Sequence, residues 1–176
     1  SKLLNQKATH LPSGQHELNA EYYDKIEALQ FTMNHDDGYS INDIEKSDII
    51  LLGVSRTSKT PTSIYLANKG FRTSNIPLVN ENSIPILLKK KPKITCVVGL
   101  TIEPERLADV RKNRLNTLKE KESTDYTNLS KIKGEIEEAK KTFRKYQWPT
   151  IDMTRKSVEE TAASIMKIHE IFKNDN

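Results

Sequence analysis

One loop of the sequence carries the residue types that bind phosphate. Gly53 ends an apolar run over residues 49–52, and residues 54–57 separate it from Ser58, Lys59 and Thr60. Compared with the pattern G-x-x-x-x-G-K-[S/T], the sequence departs at Ser58, which stands where a second glycine is expected. Backbone N–H groups in such a loop surround an anion at the positive end of the next helix. We therefore expect nucleotide or phosphate binding by Gly53, Val54, Ser55, Arg56, Thr57, Ser58, Lys59 and Thr60.

The side chains at the end of this loop have separate predicted roles. Lys59 would reach the terminal phosphates, and Thr60 would ligate a phosphate-bound Mg²⁺. Ser58 is small enough to let the backbone approach the anion, although its Cβ disfavours a positive φ. A loop rich in Ser, Thr and Lys between a strand and a helix is also common without any ligand, and that alternative stays open.

A second group, His35, Asp36 and Asp37, supplies acid–base chemistry. These residues follow a predicted helix and precede Gly38, so two adjacent carboxylates lie at a helix C-terminus, where the dipole disfavours negative charge. This unfavourable placement suggests a functional role. We expect His35, Asp36, Asp37 and Lys59 to be catalytic and Asp37 to share a metal with Thr60. A plain Asp-Asp-Gly turn is the alternative.

Two arginines complete the candidate site. Arg111 and Arg114 fall on the same predicted helix face as Leu107 and Leu118, within an apolar stripe. Such a placement suggests that they face a cleft and bind an anion. Arginines that extend along the surface from inward-tilted positions would give the same pattern.

Alternating strands and helices must position these residues. Apolar runs predict strands over 49–52, 71–75, 94–100 and 148–152, the third being continuous as in a parallel strand covered on both faces. Helical spacing is shown by Tyr22, Ile26, Leu29 and Met33 after a possible cap at Asn19, by a segment between Pro61 and Gly70, and by residues 103–118, 129–143 and 157–172. The predicted fold is α/β, a P-loop-type parallel sheet of about four or five strands flanked by helices.

The length and composition of the chain limit the number of domains and the classes of function that are possible. The chain has 176 residues, 35% hydrophobic and 30% charged, which suits one domain with a sizeable core. We expect residues 1–18 to be a poorly structured lead-in at a fragment boundary and residues 19–176 to form the domain. The formal net charge of +4 gives little support to nucleic-acid binding, and no apolar run is long enough to span a membrane. We therefore expect a cytoplasmic protein, and Cys96 in an apolar run to be a buried reduced thiol.

Several motifs together resemble one family. Residues 53–61 are followed by Tyr65-Leu-Ala-Asn-Lys-Gly70 and Asn75-Ile-Pro-Leu78, and His35-Asp-Asp-Gly38 comes before them. Gly99-Leu-Thr-Ile102, Pro104-Glu-Arg-Leu107, Ile151-Asp-Met-Thr154 and Glu159-Glu-Thr-Ala162 come after them. In this order, over residues 21–165, they resemble the regulatory proteins of pyruvate, phosphate dikinase and phosphoenolpyruvate synthase.

The resemblance implies an unusual pair of reactions. The regulator would use ADP as substrate to phosphorylate a threonine of pyruvate, phosphate dikinase or phosphoenolpyruvate synthase, with Mg²⁺ assisting. It would remove this group with inorganic phosphate and release pyrophosphate. The resemblance also implies a further N-terminal region, and it leaves the formation of a homo-oligomer open. The residues alone leave two alternatives, a small-molecule P-loop kinase and a non-catalytic nucleotide-binding module.

Overall fold

A computed structural model describes residues 20–38, 42–118 and 125–175. The expected lead-in, residues 1–18, and the expected cap Asn19 lie outside the described residues. In chain order the elements are α1 (Ala20–Asn34), β1 (Ile49–Gly53), α2 (Lys59–Asn68), β2 (Thr73–Pro77), α3 (Ile86–Lys90), β3 (Cys96–Thr101), α4 (Pro104–Leu118), α5 (Leu129–Lys145), β4 (Thr150–Asp152) and α6 (Val158–Asn174). Within the described ranges, no helix has the length and apolarity needed to cross a membrane.

The four strands form one parallel sheet in the order β2-β1-β3-β4. Every residue of β1 and β3 is buried, as expected for central strands covered on both faces. This confirms an α/β fold with helices flanking a parallel sheet. Strand β2 lies on one side of β1, and β3 lies on the other side. The direction of the connections therefore reverses between β1 and β3, and their carboxyl ends border a topological switch point. Ligands of α/β sheets bind at such points.

Two apolar cores lie on the two faces of this sheet. Alternate residues of β1 point to opposite faces, so Ile50 and Leu52 belong to one core and Ile49 and Leu51 to the other. The first core contains the buried residues Ile132, Ile136, Ala139 and Phe143 of α5. The second contains Leu66 of α2 and Ala162 and Ile165 of α6. Helices therefore cover both faces and hold the ends of the central strands in place.

The helix α1 does not use the face that its apolar spacing predicts. Its buried residues are Ala28 and Thr32, whereas Ile26 and Met33 are exposed. The helix predicted from the spacing of Tyr22, Ile26, Leu29 and Met33 is therefore present, but its buried residues are not among these four. The reason is a hydrogen bond: the Thr32 hydroxyl accepts from the backbone N–H of Thr73 at 3.0 Å, so a face with small side chains must turn toward β2.

The end of α1 covers the open edge of the sheet. Strand β2 lies at that edge, where unpaired backbone groups need partners. The Thr32 hydroxyl accepts a hydrogen bond from the N–H of Thr73, and the His35 carbonyl accepts one from the N–H of Asn75 at 3.2 Å. These two bonds place the turn that follows α1 beside the carboxyl end of β2 and next to the loop after β1.

Candidate active site

The loop between β1 and α2 begins at a glycine that no other residue can replace without movement. A Cβ on Gly53 would lie 2.6 Å from Thr57 Oγ1 and 2.9 Å from the Leu100 carbonyl oxygen. The second of these atoms belongs to the backbone of β3 and cannot easily yield. Gly53 thus lets the loop turn sharply against the neighbouring strand at the switch point.

The loop then passes through two left-handed residues before α2 starts. Arg56 has φ 71° and Ser58 has φ 52°. The sequence departs from the glycine pattern at Ser58, yet the serine adopts the left-handed conformation that glycine accepts most readily. No side chain caps α2 at Ser58. Pro61 has no N–H group, and the Thr62 N–H donates to the Ser58 carbonyl. Lys59 and Thr60 therefore carry the N–H groups at the start of α2 that face an incoming anion.

Lys59 is folded back under the loop. Its side chain is 4% exposed, and its ammonium donates to the Val54 carbonyl at 3.1 Å. The Thr57 hydroxyl donates to the same oxygen at 2.9 Å, which holds the loop closed around it. Burial lowers the pKa of Lys59 to about 8, against the opposing effect of the nearby Asp37 and Asp36 carboxylates. A phosphate entering the loop would find a cation that is weakly hydrated and ready to bind it.

Asp36 lies directly beside Thr60. The Thr60 hydroxyl donates to the Asp36 carboxylate, at 3.0 Å from Oδ1 and 3.3 Å from Oδ2. The Asn75 side-chain amide also donates to Oδ1. The structure therefore brings the predicted catalytic turn and the predicted metal-binding threonine together, although the carboxylate next to Thr60 belongs to Asp36 and not to Asp37.

Asp37 faces the cleft instead. It has φ 50° and ψ 31°, and its exposed side chain lines the same hollow as Lys59 and Thr60. Its backbone N–H donates to the Asn75 side-chain oxygen at 2.8 Å. Two adjacent carboxylates are thus directed differently, one to the loop threonine and one to the open cleft.

His35 is held by backbone atoms. Its Nδ1 lies 2.8 Å from the Phe31 carbonyl oxygen, and its Nε2 lies 3.0 Å from that of Asn42. Its ring stacks on Phe31 with centroids 4.0 Å apart, and the side chain is buried. These contacts suit a residue that fixes the turn before Asp36. The prediction that His35 is catalytic stays a prediction, and the structure does not place its ring against the cleft.

The two arginines separate. Arg111 is buried behind the loop: its guanidinium forms two bonds to the Glu135 carboxylate, at 2.6 and 3.2 Å, and one to the Ser55 carbonyl at 3.4 Å. It also lies over the Tyr126 ring, 4.6 Å from its centroid. Arg114 is exposed and is not among the described residues that line the cleft. Arg111 therefore supports the loop from behind, and Arg56 is the arginine at the cleft.

The cleft has a volume of about 550 Å³. It is lined by Asp37, Ser55, Arg56, Ser58, Lys59, Thr60, Pro61, Pro77 and Val110. Two other hollows, of about 560 and 320 Å³, lie around Lys93 and Tyr146, near the amino ends of β3 and β4. Volume alone would not select the site. The 550 Å³ cleft is the candidate site because the predicted phosphate-binding loop and Asp37 line it, and because Asp36 hydrogen-bonds to Thr60 at its wall.

The oxygen atoms around Thr60 suit a magnesium ion bound together with a phosphate. Mg²⁺ prefers carboxylate and hydroxyl oxygens and usually takes one or two carboxylates plus phosphate and water. The Thr60 hydroxyl and the Asp36 carboxylate fit that description. Among the described residues, no group of three or more His, Cys, Asp or Glu side chains gathers as a protein-only metal site.

Sequence reasoning missed Asn75 and Glu135. Asn75 joins the turn to the sheet, and Glu135 neutralises Arg111 behind the loop. Their partners lie far along the chain, so no local spacing indicates these roles. The one signal for Asn75 was a fully polar amide inside a segment predicted as a buried strand, where it needs partners.

Comparisons with known proteins show the family of this chain. Residues 1–166 match the model of a family described as kinase/pyrophosphorylase. A Pelagibacter ubique protein is 74% identical over 175 residues, 99% of this chain and 64% of the relative. Proteins of Sphingopyxis alaskensis and Erythrobacter litoralis are 49% and 48% identical over 97% and 94% of this chain, and 63% and 59% of their own lengths are covered. All three carry the name pyruvate, phosphate dikinase regulatory protein. The chain thus spans less than two thirds of the length of each.

Proposed function

Because this chain belongs to the kinase/pyrophosphorylase family, we propose that it regulates pyruvate, phosphate dikinase or phosphoenolpyruvate synthase by reversible phosphorylation of a threonine. The names of its relatives support the first of these targets. The phosphoryl donor is ADP, and the acceptor is the form of the target that is already phosphorylated on its catalytic histidine. Inorganic phosphate reverses the modification.

One observation carries this proposal: the predicted phosphate-binding loop and Asp37 line a single cleft, and Thr60 of that cleft is hydrogen-bonded to the neighbouring carboxylate of Asp36. Phosphoryl transfer needs mainly positioning and charge stabilisation, so a phosphate cradle, a cation and a carboxylate beside the acceptor are sufficient parts. A module that only binds nucleotide has no use for a second carboxylate held beside the loop.

Several residues of the chain have distinct roles in the forward reaction. The loop amides and Lys59 hold the phosphates of ADP, and Arg56 at the cleft adds positive charge. Asp37 orients the threonine hydroxyl and accepts its proton as the threonine oxygen bonds to the β-phosphorus. The bond from that phosphorus to the bridging oxygen breaks, and AMP leaves.

Thr60 and Asp36 would hold Mg²⁺ when the nucleotide is bound. The ion would neutralise part of the negative charge of the phosphates. In the reverse reaction an oxygen of inorganic phosphate bonds to the phosphorus of phosphothreonine. The threonine oxygen leaves with a proton, and pyrophosphate forms.

Transfer of label from ADP tests this proposal. The protein is incubated with ADP labelled at the β-phosphorus and with each target enzyme in its histidine-phosphorylated form. We expect radioactivity on a threonine of one target and AMP as the second product. Label on a metabolite alone would indicate a small-molecule kinase, and tight ADP binding without transfer to either target would indicate a binding module. Both results would overturn the proposal.

A further inference from the structure

Asn75 is a polar side chain in the middle of the edge strand β2 and has no solvent exposure. Its neighbour across the sheet is Leu51 of β1. Burial of an amide without hydrogen bonds costs a few kcal/mol, so its partners must repay that cost. These partners lie in the turn after α1 and in α2, and they include both carboxylate residues of the site.

Three polar groups of Asn75 make hydrogen bonds to this region. Its side-chain nitrogen donates to Asp36 Oδ1 and lies 3.4 Å from the Ser63 hydroxyl. Its side-chain oxygen accepts the N–H of Asp37 at 2.8 Å. Its backbone N–H donates to the His35 carbonyl at 3.2 Å. Asn75 thus binds three successive residues of one turn.

The chemistry of the turn calls for an amide here. Asp36 presents a carboxylate, which accepts, and Asp37 presents an N–H, which donates, so the residue between them must offer one donor and one acceptor. Asparagine does this without adding charge beside two carboxylates. An aspartate at this position would place a third carboxylate in contact with Asp36, and an aliphatic residue would satisfy neither group.

The bond to the Asp37 N–H also supports an unfavourable backbone. Asp37 has φ 50°, a conformation that costs a non-glycine residue of order 1 kcal/mol or more and persists where surrounding contacts impose it. With Asp37 held in this way, successive side chains leave the turn in different directions. Asp36 meets Thr60, and Asp37 meets the cleft.

We propose that Asn75 is a positioning residue that gives the two carboxylates different roles. It holds the Asp36 side chain against Thr60, where the metal would bind, and it holds Asp37 so that its side chain faces the cleft and the acceptor hydroxyl. This inference rests on the proposed function for the roles of the two carboxylates. Asn75 is buried and is not among the described residues that line the cleft. It acts through Asp36 and Asp37.

A double-mutant cycle between Asn75→Ala and Asp36→Asn tests the inference. The readouts are the ratio of ADP affinities with and without Mg²⁺, by calorimetry, and kcat. Each single variant should lose most of the Mg²⁺ effect, and Asn75→Ala should lower kcat by about 10²-fold, as misplacement of reacting groups commonly does. Because Asn75 acts through Asp36, the double variant should lose little more of the Mg²⁺ effect than Asp36→Asn alone.

Ser74→Ala is the matched control. Ser74 is the preceding residue of β2, is also buried and shares a hydrogen bond of 2.7 Å with Ser47, away from the turn. It should lower stability while leaving the Mg²⁺ effect and kcat near those of the unaltered protein. Losses that add in the double variant, or an unaltered Mg²⁺ effect and kcat in Asn75→Ala, would overturn the inference.

A second pair of variants covers the case in which Asn75→Ala does not fold. Asn75→Asp should destabilise the protein because two carboxylates meet, and adding Asp36→Asn should restore stability through a reversed donor–acceptor pair without restoring the Mg²⁺ effect. Absence of any such recovery would contradict the assigned contact. If the unaltered protein transferred no phosphate, the proposed function would fail, and the Mg²⁺ effect on ADP binding would still decide the inference.

Discussion

Lys59 is the residue whose environment differs most from that of an ordinary lysine. Burial under the loop lowers its pKa to about 8, so the unliganded protein loses this charge as pH rises through 8. Bound phosphate stabilises the charged form and raises the pKa, so binding at alkaline pH must take up a proton. Phosphate binding therefore favours protonation of the lysine that binds it.

We predict that ADP affinity falls as pH rises from about 8, by up to tenfold per pH unit while the free protein is deprotonated and the complex is not. Calorimetry at pH 8.5 in two buffers of different ionisation enthalpy should show proton uptake. Lys69→Ala, at an exposed position just beyond α2, should leave this dependence unchanged. An affinity that is constant between pH 7 and 9.5 would contradict the role of Lys59.

The second residue-scale prediction separates the carboxylates. Asp37→Asn keeps a residue that tolerates the left-handed backbone but cannot accept a proton, so kcat should fall by about 10²-fold or more while ADP affinity changes little. Steady-state kinetics and calorimetry on the same preparation measure both quantities. Full activity in Asp37→Asn would show that this stretch is merely a turn.

The sequence predicted the local part of the site and not the distant part. Gly53, Lys59 and Thr60 are recognisable because the motif spacing places them around one anion. Asn75 meets Asp36 and Asp37 across 39 and 38 residues, so only the folded chain reveals it. Arg111 and Arg114 share a predicted helix face, yet Arg111 is buried and Arg114 is exposed. The buried face of α4 is smaller than the predicted one and consists of Leu107, Ala108, Arg111 and Leu115.

At the scale of elements, helix periodicity was reliable where packing is apolar. Within the predicted helix 129–143, Ile132, Ile136, Ala139 and Phe143 are buried at helical spacing in α5, and a capping box at Ser157 begins α6. In α1 the periodicity predicted the helix but not its buried residues, because Thr32 turns toward β2 and accepts a backbone N–H group of this edge strand. Strand boundaries were also displaced: β2 runs Thr73–Pro77, against a prediction of residues 71–75.

The packing of α5 on β3 gives an element-scale prediction. A Cβ on Gly99 would lie 2.5 Å from the Phe143 ring, whereas one on Gly134 of α5 would meet nothing within 4 Å. Gly99→Ala should therefore lower the free energy of unfolding by about 1–3 kcal/mol. Gly134→Ala should raise it by about 0.5–1 kcal/mol.

Urea unfolding of both variants checks this pair, and each serves as the control for the other because both introduce one methyl group. Equal effects of the same sign would contradict the described contact between α5 and β3.

At the scale of the whole molecule, the sheet order explains why the site is where it is. The connections that follow β1 and β3 lead to opposite sides of the sheet, and contacts between the edge strand β2 and the turn after α1 bring that turn to the same site. Alternation of strands and helices was sufficient to predict the parallel sheet. The packing of α1 over the edge, which completes the site, depends on hydrogen bonds that no periodicity encodes.

One phosphate-binding loop lies in the described part of the chain at this switch point, so we expect it to serve both reactions. In the forward direction it holds both phosphates of ADP. In the reverse reaction, inorganic phosphate occupies the position of the α-phosphate of ADP, which is the phosphate that stays on AMP in the forward reaction. ADP and inorganic phosphate should therefore exclude one another.

The most direct test measures dephosphorylation of the threonine-phosphorylated target at several concentrations of inorganic phosphate and ADP, with the unaltered protein and with Lys59→Ala. The account predicts that ADP inhibits competitively against phosphate and that Lys59→Ala loses both activities together. Non-competitive inhibition, or a Lys59→Ala protein that loses the kinase reaction and keeps normal phosphate-dependent dephosphorylation, would contradict a single shared site.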